Sequence, residues 1–256
     1  MNQPFPTAPP GVPYITTAQM REVDRAMIDD FGITLLQMME NAGRNLADVV
    51  IRTVLAGLGG GPRGRRVVVG AGPGGNGGGG LVAARHLHNR GCEVLVVLAA
   101  QEDRVSDAVR HQLNILRSSG VSIEPAENVQ KNKSFGEADA IIDALLGYSL
   151  SGSPRDPAAT LIRAMNESGA PVVSNDIPTG IDATTGTVYE PAIRATATVT
   201  IALPKTGLLV SDARRLAGDL YLGDISVPPE LYEAVLDVSV PAIFDTSQIV
   251  KMPDRD

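Results

Sequence analysis

Apolar positions along this chain recur with two periods. The run at 67–69 is β-branched and too short for a helix, and it reads as a buried strand, as do 94–98 and 138–146. Those at 121–123, 171–174 and 220–227 read as further strands, and 196–202 alternates and is rich in β formers. Between them, apolar residues fall at helical spacing. Thr16 and Gln19 have capping-box spacing, and Val23, Ala26 and Met27 line one face after them. Phe31-Gly32 ends that helix. A second, over 35–56, aligns Leu35, Met38, Met39, Ala42, Leu46, Val49 and Val50. Leu81, Ala84 and Leu87 mark a helix over 81–89 that Gly91 stops. Ser106 is the N-cap of a helix reaching 118, and Pro157 opens another at its first position. Strands alternating with helices predict an α/β fold, a mostly parallel sheet covered on both faces. No repeat or linker interrupts the series. It reads as one domain over 15–256 behind a flexible, proline-bearing lead over 1–14. The segment 128–136 reads as polar loop, as does the tail from Pro241.

The first βαβ unit is unusual at its turn. Seven of the nine residues over 72–80 are glycine. A glycine loop clamped between a strand and a helix lets backbone N–H groups approach a ligand, which makes an anion site, most often for phosphate. A flexible linker is the bland alternative, and linkers are not usually held this way.

Composition narrows the function. The chain has 256 residues, 43% of them apolar, and carries a net charge of −7. The charge argues against a nucleic-acid surface. No stretch approaches the roughly 20 apolar residues that span a bilayer. The N-terminus lacks the charged and apolar regions of a signal peptide, so the expected place is cytoplasmic. A single cysteine, Cys92, excludes an intrachain disulfide. The three histidines have no partners at zinc spacing.

Three segments follow the ends of predicted strands: the loop around Asn76, the stretch 143–153, and 176–182. In open α/β sheets ligands bind at such ends. Their side chains are oxygen-bearing: Asn76, Asp143, Ser149, Ser151, Asp176, Thr179 and Asp182. An all-oxygen set with few carboxylates suits a hard cation with loose geometry, such as an alkali metal. Singly, Asp143 reads equally well as a carboxylate satisfied by backbone N–H groups, and Asp176 as a turn-former before Pro178. Gly70 to Gly75 also fits the dinucleotide fingerprint, but the second strand ends without the ribose-binding acid that a dehydrogenase needs. There is no P-loop and no nucleophile elbow.

Together these segments resemble the NAD(P)HX epimerase family, the YjeF amino-terminal domain family. Met39-Glu40-Asn41-Ala42-Gly43 resembles its first-helix motif, and the 72–81 stretch GPGGNGGGGL resembles its GPGNNGGDGL loop. Asp143 to Gly147 with Gly152 and Arg155, Asp176 to Asp182, and Ala202 to Lys205 resemble its later motifs. The resemblance implies a Rossmann-like three-layer α/β/α sandwich, often dimeric. It implies an epimerase that interconverts the R and S forms of hydrated NADH and NADPH, a nicotinamide nucleotide repair activity. It assigns substrate binding to Gly75, Asn76, Gly77, Gly78 and Gly79, to Gly147, Tyr148, Ser149, Leu150, Ser151, Gly152 and Ser153, and to Asp176. Asp176 would also be the catalytic acid/base, and Asn76, Asp143 and Thr179 would ligate K⁺. The partners implied are NADHX or NADPHX and a second copy of the chain, with no nucleic acid and no membrane. Two residues depart from the family loop: Gly75 replaces its first Asn and Gly79 its Asp. A weakened or inactive member acting as a nucleotide- or protein-binding module is the alternative they open.

Overall fold

Strand β1 (Arg66–Ala71) lies inside an eight-stranded sheet, described here from a computed structural model that covers residues 5–129 and 134–253. On one side of it lie β2 (Glu93–Leu98) and then β3 (Ser122–Pro125). On the other lie β4 (Ala140–Ala144), β5 (Val172–Asn175), β6 (Ala197–Ile201), β7 (Asp219–Gly223) and β8 (Ile249–Lys251). Every pairing is parallel except that of β7 with β8. The central strands are apolar on both faces because helices cover both.

The helices are α1 (Thr17–Asp29), α2 (Leu35–Val49), α3 (Gly75–Asn89), α4 (Asp107–Ser118), α5 (Ala158–Glu167), α6 (Ser211–Ala217) and α7 (Pro229–Leu236). Helices α2, α3 and α4 pack on the face carrying Val67, Val69, Val96 and Ile142, whereas α5 packs on Val68, Val97 and Ile141. A third apolar cluster joins α1, α6 and α7 to Leu220 and Leu222 of β7. This is the three-layer α/β/α sandwich expected from the sequence. The capping boxes at the starts of α1 and α2 both form, Thr16 with Gln19 and Thr34 with Gln37. The 35–56 helix changes character at its end, where Val50–Leu55 is a π-helix.

Three expectations need correction. The glycine run is not a loop: α3 begins at Gly75, with Gly74 as its cap, so Gly75 to Gly80 are helical. Tertiary packing overrides the poor helix propensity of glycine here. A Cβ at Gly80 would overlap the Ala144 side chain, and one at Gly43 would lie 2.6 Å from the Gly79 carbonyl oxygen. The absence of side chains lets α3 sink between α2 and the sheet. The tail is not all loop, since 249–251 adds β8 to the sheet. The lead over 1–14 is docked from Phe5 onward. Lys251 N donates to the Pro6 carbonyl and Ala8 N to the Lys251 carbonyl, each at 2.8 Å, so the lead pairs with the outer edge of β8. Phe5 stacks edge-on to Tyr221 with ring centroids 5.3 Å apart, beneath the Arg52 guanidinium. Residues 1–4, and part of the expected 128–136 loop, lie outside the described residues.

Close packing of α3 makes a prediction. Gly80→Ala should destabilise the fold by roughly 1–3 kcal/mol or more through overpacking. Gly75→Ala, where a Cβ meets nothing within 4 Å, should be neutral or stabilise by up to about 1 kcal/mol. Urea denaturation of the two variants reads the contrast; equal effects would contradict this packing.

Candidate active site

The chain leaves β1 toward β2 and leaves β4 toward β5, in opposite directions along the sheet. β1 and β4 are hydrogen-bonded neighbours, so their carboxyl ends flank a topological switch point, where a crevice opens. A cavity of about 460 Å³ lies there, within the range of small-molecule sites. Pro73, Gly74, Gly75 and Asn76 wall it from the start of α3, with Gly79 one turn on. Leu145 to Ser149 enter after β4, and Asn175 at the end of β5 and Asp176 just past it. Helices α1 and α2 supply Met20, Asp24, Leu35, Met38, Met39 and Ala42.

Asp176 lines the cavity just past the end of β5. It leaves β5 with φ 68°, a left-handed turn that Asp tolerates better than most side chains. Its backbone N–H is held by the Val199 carbonyl at 2.7 Å. Lys205 Nζ meets Asp176 Oδ1 at 2.5 Å and also donates to the Ile201 carbonyl at 2.9 Å. The Lys205 side chain is 0% exposed and that of Asp176 3%. The Tyr148 backbone N–H donates to the other oxygen, Oδ2, at 3.3 Å. The Asp176 carboxylate is thus ion-paired on one oxygen and aligned on the second.

Beneath it lies Asp143, 0% exposed. Thr179 donates to it twice, from Oγ1 at 2.6 Å and from its backbone N–H at 2.9 Å. Ser174 Oγ at 2.8 Å and the Leu145 N–H at 3.3 Å complete its shell. Burial pushes this carboxyl above the usual range, against the pull of those hydrogen bonds. Its hydrogen-bond partners are all neutral. Thr179 Oγ1 also bonds the backbone of Leu146, while Asn76 packs against Gly147, the next residue. Asn76, Asp143 and Thr179 therefore gather around the turn at 145–147. Their donor atoms are oxygens, and a fully buried carboxylate without a basic partner is short of positive charge. That chemistry fits an alkali cation. No cluster of His, Cys, Asp and Glu suited to a transition metal occurs among the described residues.

The other expected residues divide. Gly75, Asn76, Gly79, Gly147, Tyr148, Ser149 and Asp176 line the cavity. Gly77 and Gly78 turn away from it, toward the Gly72 carbonyl and the Met39 side chain. Leu150, Ser151, Gly152 and Ser153 continue the loop beyond the lining. Asp182 shapes a turn: burial opposes its charge, but the N–H groups of Thr185 and Thr184 hold its carboxyl below the usual range. Cys92 is buried, and burial pushes its thiol up to about 11, which suits an inert core residue.

Sequence reasoning gave no role to Asp24, Asn175 or Lys205. Lys205 had a legible signal, a lone cation just past a buried strand. Asn175 explains the departure at position 79. Its Nδ2 donates to Asn76 Oδ1 at 3.0 Å and to the Asn76 carbonyl at 3.2 Å. A Cβ on Gly79 would lie 2.8 Å from that same nitrogen. Asn175 occupies the space a side chain at 79 would need, and uses it to fix Asn76.

Comparison with known proteins identifies the family and the fold. The family model for the YjeF-related protein N-terminus matches residues 35–207. An NAD(P)H-hydrate epimerase of Dehalogenimonas lykanthroporepellens is 44% identical over 85% of this chain and 84% of its own length. One from Weissella koreensis is 36% identical, covering 86% and 95%. The bifunctional NAD(P)H-hydrate repair enzyme Nnr of Pyrobaculum aerophilum is 38% identical over 84% of this chain, which spans only 42% of that longer protein. The crystal structure of yeast ynu0, YNL200c, superposes with a TM-score of 0.81 at 27% identity, covering 94% of this chain and all of the yeast one.

Two outcomes follow from the side-chain arrangement. Lys205→Met should cost about 3–5 kcal/mol, because it strands the Asp176 charge in the interior. A loss under 1 kcal/mol by denaturation would show the pair to be dispensable. Gly79→Asp alone should destabilise by roughly 1–3 kcal/mol through its clash with Asn175. Gly79→Asp with Asn175→Ala should recover much of that loss, so a double-mutant cycle should show coupling rather than additivity.

Proposed function

This chain belongs to the YjeF-related protein N-terminus family, that of the NAD(P)H-hydrate epimerases, and we propose that Asp176 carries out its epimerisation in the cavity described above. The chain is an isomerase that interconverts the R and S forms of hydrated NADH and NADPH. The observation that carries the residue assignment is the Asp176 carboxylate, ion-paired to a buried lysine and opening into a cavity walled by the start of a helix.

The residues supply the following roles. The substrate's phosphates take the N-terminal turn of α3, where the backbone N–H groups at Gly75 and Asn76 lack helical partners. Gly147 to Ser149 close the opposite wall. The hydrated nicotinamide ring faces Asp176. Inverting its hydroxyl-bearing carbon requires protons to be moved at the oxygen that leaves and the oxygen that returns, and an ion-paired carboxylate is a ready acceptor for that transfer. Lys205 and the Tyr148 N–H hold the carboxylate in place while it works. A K⁺ ion held by Asn76, Asp143 and Thr179 would supply the positive charge that the buried Asp143 lacks. Family resemblance extends the proposal to a cytoplasmic homodimer. Among the described residues no helix is long and apolar enough to cross a membrane.

Mixed hydrates assayed with an S-specific dehydratase test the reading. R epimer should be consumed faster in the presence of this protein, and Asp176→Asn, which keeps the shape and tolerates the same left-handed turn, should lower that rate by about 10²–10⁴-fold. An uncatalysed rate at high wild-type concentration would favour the binding-module alternative. For the cation, KCl should raise the melting temperature above that in tetramethylammonium chloride of equal ionic strength, by linkage worth about 2.7 kcal/mol at a hundredfold excess over Kd. Asp143→Asn should abolish the difference, and identical wild-type melting in the two salts would contradict a K⁺ site.

A further inference from the structure

The cavity holds a second carboxyl that the family motifs do not include. Asp24 lies on α1, four residues after Met20, and both side chains line the cavity. Its position is fixed from two directions. The Thr17 backbone N–H donates to Thr184 Oγ1 at 2.9 Å, and Thr17 Oγ1 donates to the Tyr148 carbonyl at 3.0 Å. Just before the helix, the Ile15 N–H donates to the Pro204 carbonyl and the Ile15 carbonyl accepts from Thr206, each at 2.9 Å. The start of α1 is therefore stitched to the Tyr148 loop and to the segment bearing Lys205.

Tyr148 then joins the two acids. Its hydroxyl donates to Asp24 Oδ2, and its backbone N–H donates to Asp176 Oδ2 at 3.3 Å. The two carboxyls differ in one respect. Asp176 is ion-paired with Lys205, whereas among the described residues no basic side chain forms an ion pair with Asp24. One site thus holds a paired, proton-accepting carboxylate and an unpaired carboxyl reaching it from a different layer of the fold.

We propose that Asp24 is a second catalytic residue, the acid that protonates the departing hydroxyl while Asp176 accepts a proton from the water that replaces it. The assignment rests on the epimerase reading above. Asp24 gives its proton to the ring hydroxyl. The C–O bond breaks with its electron pair on oxygen, water leaves, and the ring nitrogen's lone pair forms an iminium bond. Water then adds to the same carbon from the opposite face. Its electron pair makes the new C–O bond, the nitrogen recovers its lone pair, and the surplus proton passes to Asp176. Nothing is oxidised or reduced. The proton ends on Asp176, the state that runs the reverse conversion, and exchange with solvent resets the pair.

The environment of Asp24 is consistent with this role. Burial pushes its carboxyl above the usual range; the Tyr148 hydrogen bond and the Lys205 charge oppose the rise, and the Asp176 charge adds to it. Tyr232 on α7 also feels the Asp24 charge, and Arg21 on the same helix acts on the Tyr148 hydroxyl that bonds Asp24. An acid catalyst fails as pH rises through its pKa, so Asp24 should set the alkaline limb of the rate profile.

The test is turnover of mixed hydrates against pH for three proteins. Asp24→Asn keeps the shape and an acceptor for the Tyr148 hydroxyl. Its turnover should fall by roughly 10²–10⁴-fold with KM little changed, and its alkaline limb should vanish. Tyr148→Phe removes a bond that lowers the Asp24 pKa, so its limb should move to higher pH. Near-native turnover by Asp24→Asn would overturn the proposal. So would lost turnover with the limb still in place, which would leave Asp24 merely positioning Tyr148, and so would an unmoved limb in Tyr148→Phe. The wild type separates the two claims: an inactive wild type overturns the epimerase reading itself, while an active wild type beside an unimpaired Asp24→Asn overturns only this assignment.

Discussion

A buried ion pair organises this molecule. Removing a lysine and an aspartate from water costs several kcal/mol per ion, and Lys205 and Asp176 recover it only through close geometry and additional hydrogen bonds. Meeting that requirement ties distant segments together. Asp176 needs a left-handed turn at the end of β5, and Ala202 takes another, φ 61°, at the end of β6, so that Lys205 can fold back beneath it. The Ile201 carbonyl and the Tyr148 N–H complete the shell. Ile15 pairs with the Lys205 segment, which fixes the start of α1. The site and this edge of the fold are therefore one structure, and a change that loosens one loosens the other.

The second organising constraint is closeness. Helix α3 brings its first turn to the switch point only because it carries almost no side chains there. Residues 77–80 are glycines, and a Cβ on any of them would meet the Gly72 backbone, α2, β1, β4 or Asn175 of β5. A helix of ordinary composition would stand off the sheet and withdraw its N-terminus from the cavity. Flexibility has little to do with it, since Gly77 to Gly80 are buried and helical.

Legibility in the sequence follows from these constraints. Strands β1, β2, β4 and β5 were readable because burial on both faces leaves short, mainly apolar runs, and β6 because its sequence alternates and is rich in β formers. Asp176, Asn76 and Thr179 were readable as candidates because they are polar residues in the turns that follow such runs, and Asp143 because it is a carboxylate inside one. The glycine run was misread as a loop because local propensity cannot register a neighbouring helix and sheet. β8 and the docked lead were missed because each is a few residues long and exists only by pairing with a remote edge. Asp24 was hidden for a different reason. A carboxylate on an amphipathic helix looks like any solvated surface charge until the fold shows which face meets a cavity. Asn175 is visible only beside Gly79, its partner across nearly a hundred residues.

The central claim is that this cavity inverts a hydrated ring carbon by breaking and remaking its C–O bond through protons moved at Asp176. Oxygen exchange tests it most directly. With the protein in ¹⁸O-labelled water, mixed hydrates should take up solvent oxygen at the inverted carbon, at the rate of R–S interconversion and well above the uncatalysed rate. Interconversion accelerated by the protein without incorporation of label would contradict the account.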